Sequence, residues 1–344
     1  MKNTKGKTND RRVSGPEASR SMTATLCSEP PTVIRSRRMI VFLTVLSYLL
    51  MLPLFEPHAF WPFGWIAFVP WLLAVRLSEK AGWIYLFSFL LGMVYWMTHC
   101  RWLLAVSPVV YLLTALILGL YWPLIAALAR HACRRRYFDM ALAFPPLWVA
   151  QELLHSRGSI AAPWCLLGHS QVHFSSLVQV ADTVGVFGVS FVVAMINGCI
   201  ADLCQHFLER RRAGQSWSWP RRLVTTSAIT LAVLVATLIY GRIRLAEKPA
   251  IIGPRVAVLQ GDFPLKPGMD VDARLLKEPP PANDELDMYI RARKESFNAD
   301  KRIIYRRLLD QAVEDRPDLF VLPESPWNMT LNREYRESPL TVDQ

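Results

Sequence analysis

Seven stretches of mainly apolar residues dominate the first 240 positions, separated by short polar or charged segments. A helix needs about 20 apolar residues to cross a hydrocarbon core of about 30 Å, so stretches of this length predict membrane-spanning helices. Pro62 and Pro70 interrupt the second stretch, and Pro145, Pro146 and Glu152 weaken the fifth, but a helix bundle tolerates such interruptions. The pattern predicts an all-α polytopic membrane bundle of about seven spans. The stretches cover about 39–55, 59–77, 81–98, 102–129, 138–154, 177–204 and 223–240.

The distribution of positive charge supports this number of spans. If the N-terminus is cytoplasmic, the leader 1–38 and the loops after the second, fourth and sixth stretches carry 20 Lys and Arg residues. The loops on the opposite side carry only Arg101 and Arg157. This asymmetry follows the positive-inside rule, and an odd number of spans places everything after Tyr240 outside the cytoplasm. The net charge of +11 therefore indicates membrane orientation rather than a nucleic acid partner.

Composition agrees with a membrane protein and excludes several other classes. The chain is 52% hydrophobic and 19% charged, which does not fit a disordered chain, a collagen-like fibre or a small disulfide-stabilised domain. The six cysteines form no CxxC pair and lie mostly in or beside apolar stretches, so we interpret them as small hydrophobic residues. Trp residues near the ends of stretches predict aromatic belts at the membrane interfaces. These residues are Trp61, Trp65, Trp102, Trp122 and Trp148.

The rest of the chain has a pattern typical of an α/β fold. It predicts a strand over 255–263, a proline-rich loop over 264–281, a helix over 283–314 and a buried strand over 318–323. A strand, a helix and a second strand form the start of a βαβ unit. We therefore predict three segments, which are a basic flexible cytoplasmic leader (1–38), a transmembrane domain (39–240) and part of an α/β domain (250–344).

Glu324 is the main catalytic candidate. It follows the C-terminal end of the second predicted strand, where open α/β sheets bind their ligands. Pro323 and Trp327 flank it, and partial burial beside such residues raises the pKa of a carboxylate into the range useful for proton transfer. The alternative is a strand-end carboxylate that caps a turn or pairs with a surface arginine.

The polar loop 155–176 contains further candidates. His169 and His173 have the i, i+4 spacing of a metal-binding pair, but no carboxylate or cysteine pair completes a set of ligands. We expect an interfacial loop of amphipathic side chains, which includes Trp164, and we expect no metal ion and no cofactor.

Two acidic residues lie near the predicted outer ends of spans. Glu152 ends the fifth stretch and Asp182 begins the sixth. Each carboxylate is either a functional group or a structural one, which is hydrated at a helix end or paired with another residue. Gly185 and Gly188, followed by Ser190, predict a small-residue face for close helix packing.

Five sections of the chain together carry a resemblance to a known family. They are LFEPHAFWPFGWIAFVPWLLA (54–74), PLWVAQELLHSRGSIAAPWCLLGHSQ (146–171), VGVFGVSFVVAMIN (184–197), RVAVLQGDFP (255–264) and DLFVLPES (318–325). In this order they resemble the apolipoprotein N-acyltransferase family, in which a membrane bundle is fused to a nitrilase-like, carbon–nitrogen hydrolase domain. The resemblance implies an all-α bundle followed by a partial α/β nitrilase-like (α-β-β-α) domain. It also implies a multi-pass protein of the bacterial inner membrane, with a cytoplasmic N-terminus and a periplasmic C-terminal domain.

For activity, the resemblance implies a two-step acyl transfer. A cysteine takes an acyl chain from a membrane phospholipid as a thioester, and the N-terminal diacylglyceryl-cysteine of a lipoprotein then accepts that chain. The implied partners are the phospholipid donor, the lipoprotein acceptor and the bilayer. Glu324 has the position of the family's general base, and Trp164, His169 and Glu152 are candidates for the lipid side of the site.

The chain departs from the family pattern at other catalytic positions. The family's triad adds a lysine and a cysteine downstream of the glutamate, whereas the last lysine here is Lys301 and the last cysteine is Cys204. His169 also replaces the tyrosine more usual in the Leu-Gly-x-Ser-Gln loop. We therefore expect a chain that is truncated within its catalytic domain, or a degenerate copy, and that is inactive by itself. The alternatives are a non-catalytic membrane scaffold or conjugation-type relative, and a membrane-bound nitrilase-type amidase.

Overall fold

The computed structural model describes residues 34–55, 57–134, 138–157, 161–214, 216, 218–247, 253–261 and 303–323. The chain divides into two units, Met1–Glu247 and Lys248–Gln344. The basic leader up to residue 33 and the predicted loop 264–281 lie outside the described residues.

The described part of the first unit is built from helices. Short 3₁₀ turns at Leu52–Leu54, Trp61–Trp65 and Leu167–Gln171 connect some of them. In chain order the helices are α1 (Arg37–Met51), α2 (Val69–Leu77), α3 (Ala81–His99), α4 (Leu103–Val106), α5 (Pro108–Gly119), α6 (Tyr121–Arg134), α7 (Met140–Arg157), α8 (Ser175–Val178), α9 (Ala181–Ala213) and α10 (Arg221–Ala246).

Within the described residues, five helical segments are long and apolar enough to cross a membrane. Their surfaces carry large exposed apolar side chains, such as Phe42 on α1 and Leu231 on α10, each about 60% exposed. A soluble surface rarely presents so much apolar area, whereas a lipid-facing surface does. The five segments are Arg37–Leu54, Ala81–His99, Pro108–Cys133, Ala181–Ala213 and Arg221–Ala246.

The second and fifth predicted stretches also form helix, but neither reaches the length and hydropathy of these five. The second gives a shorter apolar segment, Trp61–Leu77, because Pro62 and Pro70 each begin a new helical piece. The fifth gives α7, which contains two prolines and the buried polar residues Gln151, Glu152 and His155.

The core of the bundle is a cluster of aromatic rings. Phe68, Trp71, Trp122, Phe144 and Trp148 are each at most 3% exposed. The ring of Phe68 lies 4.4 Å from that of Trp148, and the ring of Trp122 lies 5.2 Å from Trp148 and 5.3 Å from Trp71. The prediction that Trp122 and Trp148 belong to interfacial belts is therefore wrong, because both rings fill the centre of the bundle.

Buried polar side chains satisfy the irregular backbone around Trp61–Trp65. Asn197 of α9 accepts a hydrogen bond from the Phe68 amide at 3.0 Å and donates one to the Gly64 carbonyl at 2.7 Å. Since lipid offers no hydrogen bonds, non-helical backbone in a membrane domain needs partners of this kind.

A buried ion pair joins three helices. Asp202 of α9 pairs with Arg76 of α2 and also accepts hydrogen bonds from the amides of Met140 and Ala141, at 3.1 and 3.0 Å. These amides begin α7, where a negative charge stabilises the positive end of the helix dipole.

Gly185 bends the N-terminal part of α9. Its φ of +67° is in the left-handed region that glycine adopts readily, and it interrupts the helical geometry there. A Cβ atom at Gly185 would contact nothing within 4 Å, and one at Gly188 would meet only Val184 of the same helix. The prediction that these glycines form a face for close packing between helices is therefore wrong, because they accommodate a bend.

The described part of the second unit contains two strands and a helix. Strands β1 (Val256–Val258) and β2 (Leu319–Val321) pair in parallel, with Val256 opposite Leu319. The helix α11 (303–313) immediately precedes β2. Both predicted strands are thus observed, but the prediction that the second is buried is wrong, because Leu319 and Val321 of β2 are 50% and 39% exposed. The predicted helix is observed over 303–313, with its first part outside the described residues.

Candidate functional site

The most extensive buried polar network that includes predicted site residues is centred on Glu152 of α7. The residue is 1% exposed. Its Oε1 accepts a hydrogen bond from Trp148 Nε1 at 2.8 Å and another from the backbone amide of Leu167 at 2.7 Å. Ser190 of α9 also faces this carboxylate. Glu152 therefore links its own helix to the following loop, and it does not lie at a hydrated helix end.

The loop after α7 is closed at its base by His155. The Ala162 amide donates to the His155 carbonyl at 2.7 Å, and the His155 ring bonds the Ala162 carbonyl through Nδ1 at 2.8 Å. The ring is buried and contacts Trp96 edge-on, with 5.3 Å between the ring centres. His155 thus serves as a structural clamp on this loop.

The 3₁₀ turn Leu167–Gln171 forms the far side of the loop and is held against α9. The Gly168 amide donates to Ser190 Oγ at 2.8 Å, and a Cβ atom at Gly168 would lie only 2.6 Å from the Val186 carbonyl oxygen. Only glycine permits this approach. Gln171 continues the network by donating to the Trp61 carbonyl at 3.1 Å.

Trp164 and His169 flank the anchored Leu167 in sequence and are more accessible than it. Trp164 is half-buried and meets Trp102 edge-on, with 4.9 Å between the ring centres. His169 is exposed as a whole residue, although partial desolvation of its ring lowers its pKa below the usual value. The loop therefore presents His169 and part of Trp164 beside other exposed residues, such as Val172 at 59% exposed, whereas Glu152 is buried.

Asp182, the other acidic residue predicted at a span end, forms a structural pair. It accepts hydrogen bonds from Tyr240 Oη at 2.9 Å and from Arg244 Nε at 2.8 Å. Both partners belong to α10, so this carboxylate joins the start of α9 to the end of α10. The hydrogen-bond partners of Asp182 thus come from the bundle itself.

Glu324 lies outside the described residues, which end at Pro323. The described strand β2 ends at Val321, so Glu324 follows a parallel strand by three positions. The structure therefore describes the strand that precedes the catalytic candidate but not the carboxylate itself.

Sequence reasoning selected Glu152, Trp164 and His169 but missed the groups that hold Glu152 and the turn Leu167–Gln171 in place. Trp148 and Glu152 are four residues apart on one helix, a spacing that brings side chains together, and this signal was available in the sequence. The contribution of Ser190 and of the Leu167 amide had no such signal, because both partners come from other segments.

Comparison with known proteins agrees with the membrane character of the bundle. Residues 47–199 match the family model described as the apolipoprotein N-acyltransferase N-terminal domain. That range contains Glu152, the whole loop 161–174 and the aromatic core.

Curated relatives carry the same name. The chain is 28% identical over 296 residues to an apolipoprotein N-acyltransferase of Geobacter metallireducens, an alignment that covers 82% of this chain and 50% of the relative. It is 26% identical over 219 residues to that of Rhodopirellula baltica (59% and 37% covered) and 32% identical over 161 residues to that of Coxiella burnetii (42% and 33%).

The chain therefore spans about half the length, or less, of these relatives. With its apolar helices and these matches, it is a membrane protein that is similar, over residues 47–199, to the N-terminal domain of apolipoprotein N-acyltransferases.

Proposed function

We propose that this chain carries the membrane domain and the first part of the catalytic domain of a lipoprotein N-acyltransferase. The enzyme transfers an acyl chain from a phospholipid to the N-terminal diacylglyceryl-cysteine of a lipoprotein. The observation that carries the proposal is the match of residues 47–199 to the N-terminal domain of the family. The parallel pairing of β1 and β2 supports a nitrilase-like domain over 250–344.

In this proposal Glu324 is the general base. It removes the proton from a cysteine thiol, and the thiolate attacks the phospholipid ester to give a thioester and a lysophospholipid. The free amine of the lipoprotein then attacks the thioester, which forms an amide and returns the thiol. Residues 325–344 contain neither lysine nor cysteine, so a test of the reaction must supply both from a relative.

The proposal includes seven spans in the inner membrane. Segment Trp61–Leu77 is the second span and α7 is the fifth, which places the leader 1–38 in the cytoplasm and residues 250–344 in the periplasm. The charge asymmetry of 20 to 2 between the two sets of loops supports this orientation. Both substrates are lipids, so a bundle at residues 39–240 gives them access to the active site from the bilayer.

The loop anchored by Glu152 lies on the periplasmic side in this orientation. We assign Trp164 and His169 to lipid contact because the loop presents them outward while its backbone is fixed to α7 and α9. Glu152 supports this surface as a positioning residue.

A chimera tests the proposed reaction. Residues 1–327 of this chain are joined to the downstream part of the Geobacter metallireducens relative and produced in bacteria depleted of their own N-acyltransferase. Mass spectrometry of a lipoprotein's N-terminal peptide is expected to show the third acyl chain. A chimera that inserts into the membrane and leaves lipoproteins without this chain contradicts the proposal.

The same chimera tests the role of Glu324. Loss of a general base costs about 10²- to 10⁴-fold in rate, so Glu324→Gln is expected to reduce N-acylation by that amount. Glu314→Gln is the matched control, because Glu314 is an exposed carboxylate just after α11. Near-normal N-acylation by the Glu324→Gln chimera would mean that this residue only caps a turn or pairs with a surface arginine.

A further inference from the structure

A shallow recess lies at the surface where the start of α1 meets the start of α3. It has a volume of about 430 Å³ and is lined by Lys80, Gly82, Trp83 and Leu86. A Cβ atom at Gly82 would meet nothing within 4 Å, so this glycine leaves the recess open. A basic residue, an aromatic ring and an aliphatic side chain thus border the same space.

Backbone hydrogen bonds fix the segment before α1 against the loop that precedes α3. The Ile34 amide donates to the Leu77 carbonyl at 2.7 Å, and the Glu79 amide donates to the Ile34 carbonyl at 3.2 Å. Ile34 and Ser78 thereby form an isolated parallel β-bridge. These bonds bring the basic segment 35–38 to the edge of the recess.

Arg37 reaches the recess through its contact with Trp83. The central carbon of its guanidinium lies 4.2 Å from the centre of the Trp83 ring. This ring also stacks with Phe87 of α3, with 5.8 Å between the ring centres, so its position is fixed. A guanidinium that lies over an aromatic ring can still donate hydrogen bonds from its planar edge, which matches the geometry of a phosphate. Arg37 and Lys80 therefore offer a planar donor and a compact ammonium group at one recess.

The positive charge around the recess is only partly compensated within the protein. The first turns of α1 and α3 contain no acidic residue. Glu79, which lies just before α3, pairs with Arg35 at 3.3 Å. Among the residues that the structure describes, no carboxylate pairs with Arg37 or Lys80. The charge of the recess is thus complementary to an anion.

We propose that this recess binds the headgroup of an anionic phospholipid. The lipid phosphate accepts hydrogen bonds from Arg37 and Lys80, as in other basic pockets at the ends of membrane helices. An acyl chain lies along Leu86 and Leu90, which are exposed and four residues apart on one face of α3. This apolar surface continues from the recess, which favours a lipid over a soluble anion. A zwitterionic lipid fits less well, because its own amine neutralises the phosphate.

The recess is separate from the loop 161–174. That loop contacts α3 near its other end, where Tyr95 donates from its hydroxyl to the Cys165 carbonyl at 3.1 Å. Trp83 precedes Tyr95 by twelve residues, which is about 18 Å along a helix. In the proposed orientation the recess faces the cytoplasmic leaflet and the loop lies on the periplasmic side. The bound lipid is therefore not the acyl donor, and the inference does not depend on acyl transfer.

The test uses the full chain, purified in detergent and titrated with phosphatidylglycerol or with phosphatidylcholine of the same acyl chains. Native mass spectrometry measures the lipid that the protein retains, and phosphatidylglycerol is expected to bind more tightly. A basic residue near an anionic headgroup contributes a factor of about five, so Arg37→Gln and Lys80→Gln are each expected to weaken its binding about five-fold. Arg212→Gln is the matched control, because it removes an exposed charge at the end of α9. It is expected to leave the affinity unchanged.

A second pair of variants changes the shape of the recess but not its charge. Gly82→Leu fills the open space and is expected to weaken phosphatidylglycerol binding at least five-fold. Gly82→Ala adds a single methyl group that meets no neighbouring atom, and it is expected to bind nearly as well as the unchanged protein. Melting temperatures in detergent show whether each variant is folded. A folded Gly82→Leu protein with full affinity would mean that the lipid binds elsewhere.

Other results would also overturn the proposal. Equal affinities for phosphatidylglycerol and phosphatidylcholine would mean that the recess is part of a general lipid-facing surface. Equal losses in Arg212→Gln and Lys80→Gln would mean that only the overall charge attracts the lipid. Displacement of phosphatidylglycerol by an equal concentration of inorganic phosphate would identify a site for a soluble anion.

Discussion

The carboxylate of Glu152 accepts one hydrogen bond from its own helix and one from the loop that follows. A buried charge is costly in an apolar bundle unless such partners compensate it. The two donors belong to Trp148 and Leu167, which are 3% and 2% exposed, so water cannot replace the carboxylate as their acceptor. The carboxylate of Glu152 therefore fixes the position of the loop relative to α7.

Removing this carboxylate is therefore expected to destabilise the bundle. Glu152→Ala leaves Trp148 Nε1 and the Leu167 amide without an acceptor, and each orphaned donor costs about 1–3 kcal/mol. Glu152→Gln keeps an oxygen acceptor and is expected to cost about 1 kcal/mol. Thermal unfolding in detergent, followed by tryptophan fluorescence, compares the melting temperatures of the unchanged protein, Glu152→Gln and Glu152→Ala, which are expected to fall in that order.

The matched control is Glu247→Ala. Glu247 is half-exposed and pairs with Arg244 at the surface, where an ion pair contributes less than about 1 kcal/mol. Equal melting temperatures for Glu152→Ala and Glu247→Ala would show that the Glu152 network contributes no more to stability than a surface ion pair does.

Single residues show where sequence reasoning succeeds and where it fails. Glu152 was selectable because an acidic residue in an apolar stretch is rare. Its partner Leu167 contributes only a backbone amide, which every residue except proline carries, so no pattern singles it out. Trp122 and Trp148 were placed at interfaces because tryptophan is common there, and only packing shows that both rings belong to the core.

At the scale of elements, α3 shows how a small residue makes room for a large one. A Cβ atom at Gly92 would lie 2.3 Å from Trp122 Cδ1, far inside van der Waals contact. The aromatic core therefore requires glycine at this position of α3, although glycine weakens a helix. Gly82, at the start of the same helix, has nothing within 4 Å of its Cβ position.

These two glycines are expected to respond oppositely to the same substitution. Gly92→Ala forces Trp122 out of place, and overpacking of this kind costs about 1–3 kcal/mol. Gly82→Ala improves helix propensity by up to about 1 kcal/mol without a clash. Melting temperatures in detergent are expected to fall for the first variant and to stay level or rise for the second. A Gly92→Ala protein as stable as the parent would contradict the packing of α3 against α6.

The apolar stretches predicted the helices well, and the prolines within them predicted the breaks. Pro62 and Pro70 divide the second stretch as their chemistry requires, since proline cannot donate a backbone hydrogen bond inside a helix. The bend at Gly185 was not predicted, because glycine between apolar residues is equally typical of close packing. The parallel pairing of β1 and β2 was only implied by the strand–helix–strand order, because pairing depends on contacts between distant segments.

At the scale of the whole molecule, two helices of lower hydropathy determine the number of spans. Five segments satisfy length and hydropathy on their own, whereas Trp61–Leu77 and α7 do not. Both contribute buried residues to the aromatic core, namely Phe68, Trp71, Phe144 and Trp148. Helices whose apolar faces are covered by neighbours need less hydropathy than helices surrounded by lipid, so packing supports the proposal that both segments are spans.

Reporter fusions distinguish seven spans from five, because the two arrangements place particular loops on opposite sides. With a cytoplasmic N-terminus, seven spans put Lys80 and Arg135 in the cytoplasm, whereas five spans put both outside. Both arrangements put Arg212 inside and Glu247 outside, so fusions there are the controls. The arginine cluster 134–136 favours the seven-span arrangement, because cytoplasmic loops are enriched in Lys and Arg. We expect fusions after Lys80 and Arg135 to give fluorescence from green fluorescent protein and no alkaline phosphatase activity. Phosphatase activity at both positions, with the controls as expected, would establish the five-span arrangement and leave α7 as a helix that does not cross the bilayer.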